Sequence, residues 1–150
     1  MPQIKTTVLV DAPIDVVMRV ARDYAAYPSF MKDVKSVDVL EDDGSRIVAK
    51  WIARVEEVKM EIKWTQEDVW DFANRTSRFR QTSGDYDRME GDWYFAEENG
   101  GTRFDSVVDA EFTIPLVGAL LKNLIARKVQ ENLQAMQDAI KAQAEKVARN

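Results

Sequence analysis

Hydrophobic and polar positions alternate with a period of two in short runs from Ile4 to Ile114, then recur at helical spacing after Pro115. Ile4, Thr6, Val8 and Val10 alternate with Lys5, Thr7, Leu9 and Asp11, which predicts a first strand ended by Asp11-Ala12-Pro13. A helix follows with Pro13 near its first turn and Val16, Val17, Val20 and Ala21 on one face, giving way around Tyr24 to Pro28 to a short second helix. Strands are expected over 34–40 and 46–53, joined by the turn formers Glu41-Asp42-Asp43-Gly44-Ser45. In the next strand Val58, Met60, Ile62 and Trp64 share one face, and Glu57, Lys59, Glu61 and Lys63 form a solvated row on the other.

A turn at 71–75 precedes a strand over 76–82 with Phe79 and Gln81 on the same side, and Ser83-Gly84-Asp85 reverses the chain. The strand over 86–95 sets Met89, Gly91, Trp93 and Phe95 against Arg88, Glu90, Asp92 and Tyr94. After the hairpin Glu97-Glu98-Asn99-Gly100-Gly101, a last strand over 102–114 places Phe104, Ser106, Val108, Ala110 and Phe112 together. Seven strands joined mostly by short loops imply a largely antiparallel sheet. The proline-free segment from Pro115 to Val147 reads as one helix of roughly 45 to 50 Å, longer than one flat sheet face requires. Such a helix suits a curved sheet that grips it, with a hollow between them. Its apolar stripe shifts: Val117, Leu120, Leu121, Leu124 and Ile125 mark one direction, whereas Val129, Leu133, Met136, Ile140 and Val147 centre roughly 100° further round. The helix bends over a twisted sheet and packs on both faces, or its second half is fixed to the sheet while its first half roofs a cavity, and the two readings are compatible.

Composition narrows the function classes. At 150 residues, 45% apolar and 31% charged, the chain is expected to form one domain over 1–150 with a true core. A net charge of -5 and the absence of a Lys/Arg cluster argue against a nucleic-acid partner. No run approaches a membrane span, and residues 1–10 alternate where a signal peptide would be apolar, so a cytoplasmic location is expected. The chain has no cysteine and no histidine, which removes disulfides, thiolate nucleophiles and most zinc sites.

Ala12-Pro13-x-x-x-Val17, Asp23-Tyr24-x-x-Tyr27-Pro28-x-Phe30, Val37-x-Val39-Leu40, Gly84-Asp85-Tyr86-x-x-Met89-x-Gly91-x-Trp93-x-Phe95, Gly101-Thr102, and Pro115 before a long helix occur in this order. Together they resemble the polyketide cyclase/dehydrase and lipid-transport family of the START-like, or Bet v 1-like, superfamily, over nearly the whole chain. The resemblance implies an α+β helix-grip fold: a seven-stranded curved antiparallel sheet around a long C-terminal helix, with two short helices between strands 1 and 2. It also implies a hydrophobic small molecule held between sheet and helix. Relatives include coenzyme-Q-binding proteins, a ribosome-association toxin and aromatase/cyclases.

Within that frame Trp51, Trp64 and Trp93 suit either a core or stacking on a flat ligand. Met60, Met89 and Met136 suit an accommodating pocket or irregular core gaps. Ile62, Phe79, Phe112, Leu121 and Leu124 complete the apolar candidates for ligand contact. Tyr27, Phe30 and Met31 lie where the short second helix either gates the sheet's open end or seals it. Gln81 and Asn132 are the polar residues expected to face inward, each needing a partner. Gly91 relieves crowding on an apolar face, for a bend or a ligand. No catalytic residue, metal ligand or cofactor is assigned. Without histidine, acid/base work would fall to Asp, Glu, Tyr or Lys shifted by burial, and no such pair is evident. The alternation points Arg54, Arg78 and Arg80 outward, and Asp42-Asp43, Glu97-Glu98 and Asp105/Asp109 read as turns and edges. The expected function is binding or transport of a lipid, isoprenoid quinone or polyketide. The alternative is an aromatase/cyclase acting on a poly-β-ketone chain, and a weaker one is a protein-binding regulator of the toxin type.

Overall fold

In the computed structural model residues 3–112 and 118–150 are described, without the side chains of Val58, Ala119 and Leu121. Ile114, Pro115 and Val117, quoted above, lie outside them. Strand β1 (Gln3–Val10) is followed by α1 (Ile14–Arg22) and a 3-10 turn (Tyr24–Ser29). Six strands then run in succession: β2 (Val34–Asp42), β3 (Arg46–Val55), β4 (Met60–Asp71), β5 (Thr76–Gly84), β6 (Arg88–Glu98) and β7 (Gly101–Glu111), before α2 (Ala119–Arg149). All seven form one antiparallel sheet in the order β1-β7-β6-β5-β4-β3-β2. The helical turns between β1 and β2 carry the chain from one edge of the sheet to the other, and this is the helix-grip architecture.

Local chemistry explains the connections. Between β2 and β3, Asp43 Oδ1 accepts the amides of Ser45 and Arg46 at 3.0 and 2.7 Å, and Asp42 Oδ1 accepts that of Gly44 at 2.9 Å. Asn99 and Gly100, both at positive φ, form the two-residue turn whose twist matches the strands it joins, fixing Glu98 opposite Gly101. Several strand limits differ from the sequence expectation. Glu56–Val58 is a 3-10 turn and Lys59 takes the left-handed conformation, so Glu57 and Lys59 belong to the β3–β4 connection, and only Glu61 and Lys63 stand on the outer sheet face. Beyond Trp64, β4 keeps alternating to Asp71 and adds Gln66, Asp68 and Trp70 to the buried row. β6 begins at Arg88, leaving Tyr86 in the preceding bend.

The terminal helix buries one stripe, through Ile125, Val129, Gln137, Ile140 and Ala144, with Leu133 and Met136 half-buried beside it. Of the first stripe's described residues, Ile125 is buried, Leu124 half-buried and Leu120 86% exposed. The C-terminal half is fixed by polar ties: Lys141 Nζ donates to the Leu9 carbonyl (2.8 Å), the Asp11 amide to Glu145 Oε2 (2.8 Å), and Gln137 Nε2 to the Phe104 carbonyl (3.2 Å). On α1 the buried face is Ile14, Val17, Met18 and Ala21, rotated from the expected one so that Val16 and Val20 are half-buried.

Gly91 has a specific cause. It pairs with Phe79 across β5 and β6, and a Cβ at this position would lie 2.6 Å from both the Phe79 ring and the Val107 carbonyl oxygen. The space is thus filled by Phe79. Gly91→Ala is expected to destabilise the protein by about 1–3 kcal/mol in urea unfolding, since the clash includes rigid backbone; wild-type stability would refute this reading.

Candidate functional site

The inner face of the sheet is aromatic because each strand directs its alternate residues there. Trp51 stacks on Trp64 with centroids 5.8 Å apart and planes 9° from parallel, and Tyr24, Tyr27 and Tyr86 meet this pair edge-on. Trp93 sits edge-on to Phe79 and Phe104. Between these rings and α2 lies a cavity of about 80 Å³. Trp51 and Ala53 line it from β3, Ile62, Trp64 and Gln66 from β4, and Phe79 from β5. Met89, Trp93, Val108 and Ala110 continue the wall on β6 and β7, and Val129, Asn132, Leu133 and Met136 of α2 form the roof. Tyr24, Asp33, Val34 and Tyr86 complete the ends.

A second, outer space of about 880 Å³ lies under the first half of α2, against β1 and the end of β7, and shares Tyr86, Ala110 and Val129 with the inner one. The inner cavity alone is smaller than the roughly 300 to 1,000 Å³ typical of small-molecule sites, and the outer space falls within that range.

Of the residues expected to contact a ligand, Trp51, Ile62, Trp64, Phe79, Met89, Trp93, Asn132 and Met136 line the inner cavity. Phe112 lines the outer space instead. Tyr27 does neither: it is fully buried, and its hydroxyl donates to the Ala21 carbonyl. Phe30 packs on Tyr27 at 5.8 Å, so this corner is a seal, with Met31 buried beside it. Met60 is half-buried against the core and Leu124 is half-buried on the helix, and neither lines either space. Gln81 is spent on the backbone, its amide giving Nε2–H to the Tyr86 carbonyl (2.8 Å) and accepting the Tyr86 amide (3.1 Å). It thereby sets Tyr86 at the boundary between the two spaces. The side chain of Leu121 lies outside the described residues.

Asn132 donates to the Arg54 carbonyl at 2.9 Å and so ties the helix to β3 beside the cavity. Arg54, Arg78 and Arg80 point outward, to the Lys32 carbonyl, Asp92 and Glu67 respectively. One member of each acidic pair is ion-paired: Asp42 with Arg22, Glu97 with Arg75, and Asp105 with Arg103. Among the described residues no group of acidic side chains is placed to hold a metal ion.

The polar feature missed by sequence reasoning is a buried chain along β4. Trp64 Nε1 donates to Gln66 Oε1 (2.8 Å), and Gln66 Nε2 donates to both Asp68 oxygens (3.0 and 3.1 Å). Tyr24 donates to Asp68 Oδ2 (2.7 Å) while accepting Trp70 Nε1–H (2.9 Å). Extending the two-residue alternation past Trp64 would have found it. Asp68 is only 1% exposed and has no cation beside it among the described residues. Burial therefore pushes its carboxyl up to about 7, against the lowering effect of its Tyr24 and Gln66 donors. Burial likewise raises the phenols of Tyr24, Tyr27 and Tyr86 and, more weakly, the carboxyl of Asp33.

Asp68 binds its proton more tightly when folded than when unfolded, so the stability this provides is present at about pH 4 and is lost as pH rises through about 7. Asp68→Asn removes that dependence. Relative to wild type, the variant is expected to gain up to about 1.4 kcal/mol per pH unit between pH 4 and 7 in urea titrations; a constant difference would show that Asp68 does not titrate there.

The comparisons with known proteins agree with this geometry. A structure from Thermus thermophilus, that of TTHA0849, superposes with a TM-score of 0.90 at 31% identity, covering 98% of this chain and 99% of that one. The Zhui aromatase/cyclase from Streptomyces sp. R1128 superposes at 0.81 with 20% identity (96% and 93% covered). A START superfamily protein from Mycobacterium smegmatis does so at 0.76 with 17% identity (97% and 98% covered). Among curated proteins none matches. Residues 10–137 match the family described as polyketide cyclase / dehydrase and lipid transport, from the end of β1 to the buried Gln137 of α2, and the chain belongs to that family.

Proposed function

We propose that this protein binds or carries a hydrophobic small molecule between the sheet and α2. The observation that carries this reading is the aromatic-walled cavity under a helix fixed at its C-terminal half, beside the larger space under its first half. Apolar walls favour an apolar guest by removing its surface from water, at roughly 25 cal/mol per Å². The inner space is small, so a lipid, isoprenoid quinone or polyketide would occupy both spaces, with Tyr86, Ala110 and Val129 at the passage.

The aromatase/cyclase reading keeps one specific support: Tyr24, Asp33 and Tyr86 line the cavity, so its wall is not wholly apolar. Conversion of a poly-β-ketone thioester, followed by mass spectrometry and reduced in Tyr86→Phe or Asp33→Asn, would favour it over binding alone.

Native mass spectrometry and organic extraction of gently purified protein are expected to find an apolar molecule. Leu133→Trp, at a half-buried roof position, should fill the cavity and weaken binding at least about tenfold with little change in melting temperature. An empty protein with no thermal shift across quinones, fatty acids and aromatic polyketides would overturn the proposal.

A further inference from the structure

Charge is divided unequally between the two spaces under α2. Among the described residues Asp33 is the one charged side chain on the wall of the inner cavity, whereas Lys5, Lys122 and Arg127 line the outer space together with Asp87 and Glu111. The two acids there are engaged: Glu111 stands 3.7 Å from Arg88, and Asp87 has a partner of its own. Every acidic residue of the chain is among the described ones, yet none is ion-paired with Lys5, Lys122 or Arg127. Further along α2 the lysines do have partners, Lys128 in Glu131 and Lys141 in Glu145.

The start of α2 adds to this field. Its first turn holds no acid and its first acidic residue is Glu131, while Lys122 sits close to the N-terminus, where the macrodipole disfavours a cation and favours an anion. Lys122, Ala126 and Gln130 recur four residues apart, as do Asn123 and Arg127, so these residues present one face to the outer space. Ala126 leaves little bulk between the two cations on that face. The opposite character lies deeper: Phe112, Ile125 and Val129 are apolar, and Tyr86, Ala110 and Val129 continue into the inner cavity. In a chain of net charge -5, this is a local reversal of sign at the wider end of an apolar passage.

We propose that the outer space takes the charged end of an amphipathic anion, a carboxylate or phosphate on an apolar tail, with Lys5, Lys122 and Arg127 around the anionic group and the tail directed past Tyr86 into the inner cavity. This rests on the binding reading above and gives the guest a charge and an orientation. The three cations are exposed, so their attraction is of the kind that salt screens.

Four ten-carbon probes test it by isothermal titration at about pH 8 and low salt: decanoate, decyl phosphate, decanol and decyltrimethylammonium. Decanoate and decyl phosphate are expected to bind at least about tenfold more tightly than decanol, and the cation most weakly. Whichever of the two anions binds better identifies the head group. The anionic advantage should disappear in about 1 M salt, where charges are screened within about 3 Å, while decanol binding persists. The double variant Lys122→Glu, Arg127→Glu, altered only at exposed positions, should lose the advantage and keep both its melting temperature and its affinity for decanol. Orientation is read from tryptophan fluorescence, since Trp51, Trp64 and Trp93 line the inner cavity: decanoate brominated at its terminal carbon should quench more than decanoate brominated beside the carboxylate. Equal affinity for decanol and decanoate, an advantage that survives both high salt and the double variant, or stronger quenching from the carboxylate end overturns the proposal and leaves the binding reading standing. Wild-type protein that sediments with phosphatidylglycerol vesicles yet shows no preference among the free probes also overturns it, because the cations then serve a bilayer surface. Failure of all four probes to bind overturns both.

Discussion

One helix has to cover the apolar face of seven strands, and it is too narrow to do so. A helix with its side chains is about 10–12 Å across, while seven strands span roughly 30 Å. The remainder falls to α1, the 3-10 turn and large inward side chains. Their packing accounts for the dense aromatic set around Trp51, Trp64, Trp70 and Trp93. Rings meeting edge-on do not tile a surface as methyl groups do, and the space beneath α2 is what they leave.

Where α2 is tied determines where that space opens. Gln137, Lys141 and Glu145 bond to the backbone of β7, β1 and the residue after β1, and Ile140 and Ala144 are wholly buried. Towards its N-terminus the described ties are Asn132 on the Arg54 carbonyl and Lys128 near Glu57 (3.8 Å), Ile125 and Val129 are still buried, and Leu120 faces water.

The buried chain from Trp64 to Trp70 serves a different end. Its donors converge on Asp68, and burial among neutral groups holds its carboxyl up to about 7. That arrangement positions Tyr24 and Gln66 in the cavity wall.

The alternation of residues in β4, β6 and β7 was enough to assign the inward faces, including Ile62, Trp64, Met89 and Trp93, because a strand's two faces are fixed by its backbone geometry. Turn chemistry at Asp43-Gly44 and Asn99-Gly100 was equally local and equally legible. What alternation does not carry is which inward residue meets empty space and which meets a neighbour. Tyr27 and Gln81 share the inward character of Tyr24 and Gln66, yet one seals a corner and the other clamps a loop, while Tyr24 and Gln66 border the cavity. The sequence by itself determined the strands, the inward faces and the terminal helix, since these depend on neighbours along the chain. Only the tertiary structure decided the single stripe on α2 and the shape of the space beneath it, since these depend on distances between elements far apart in sequence.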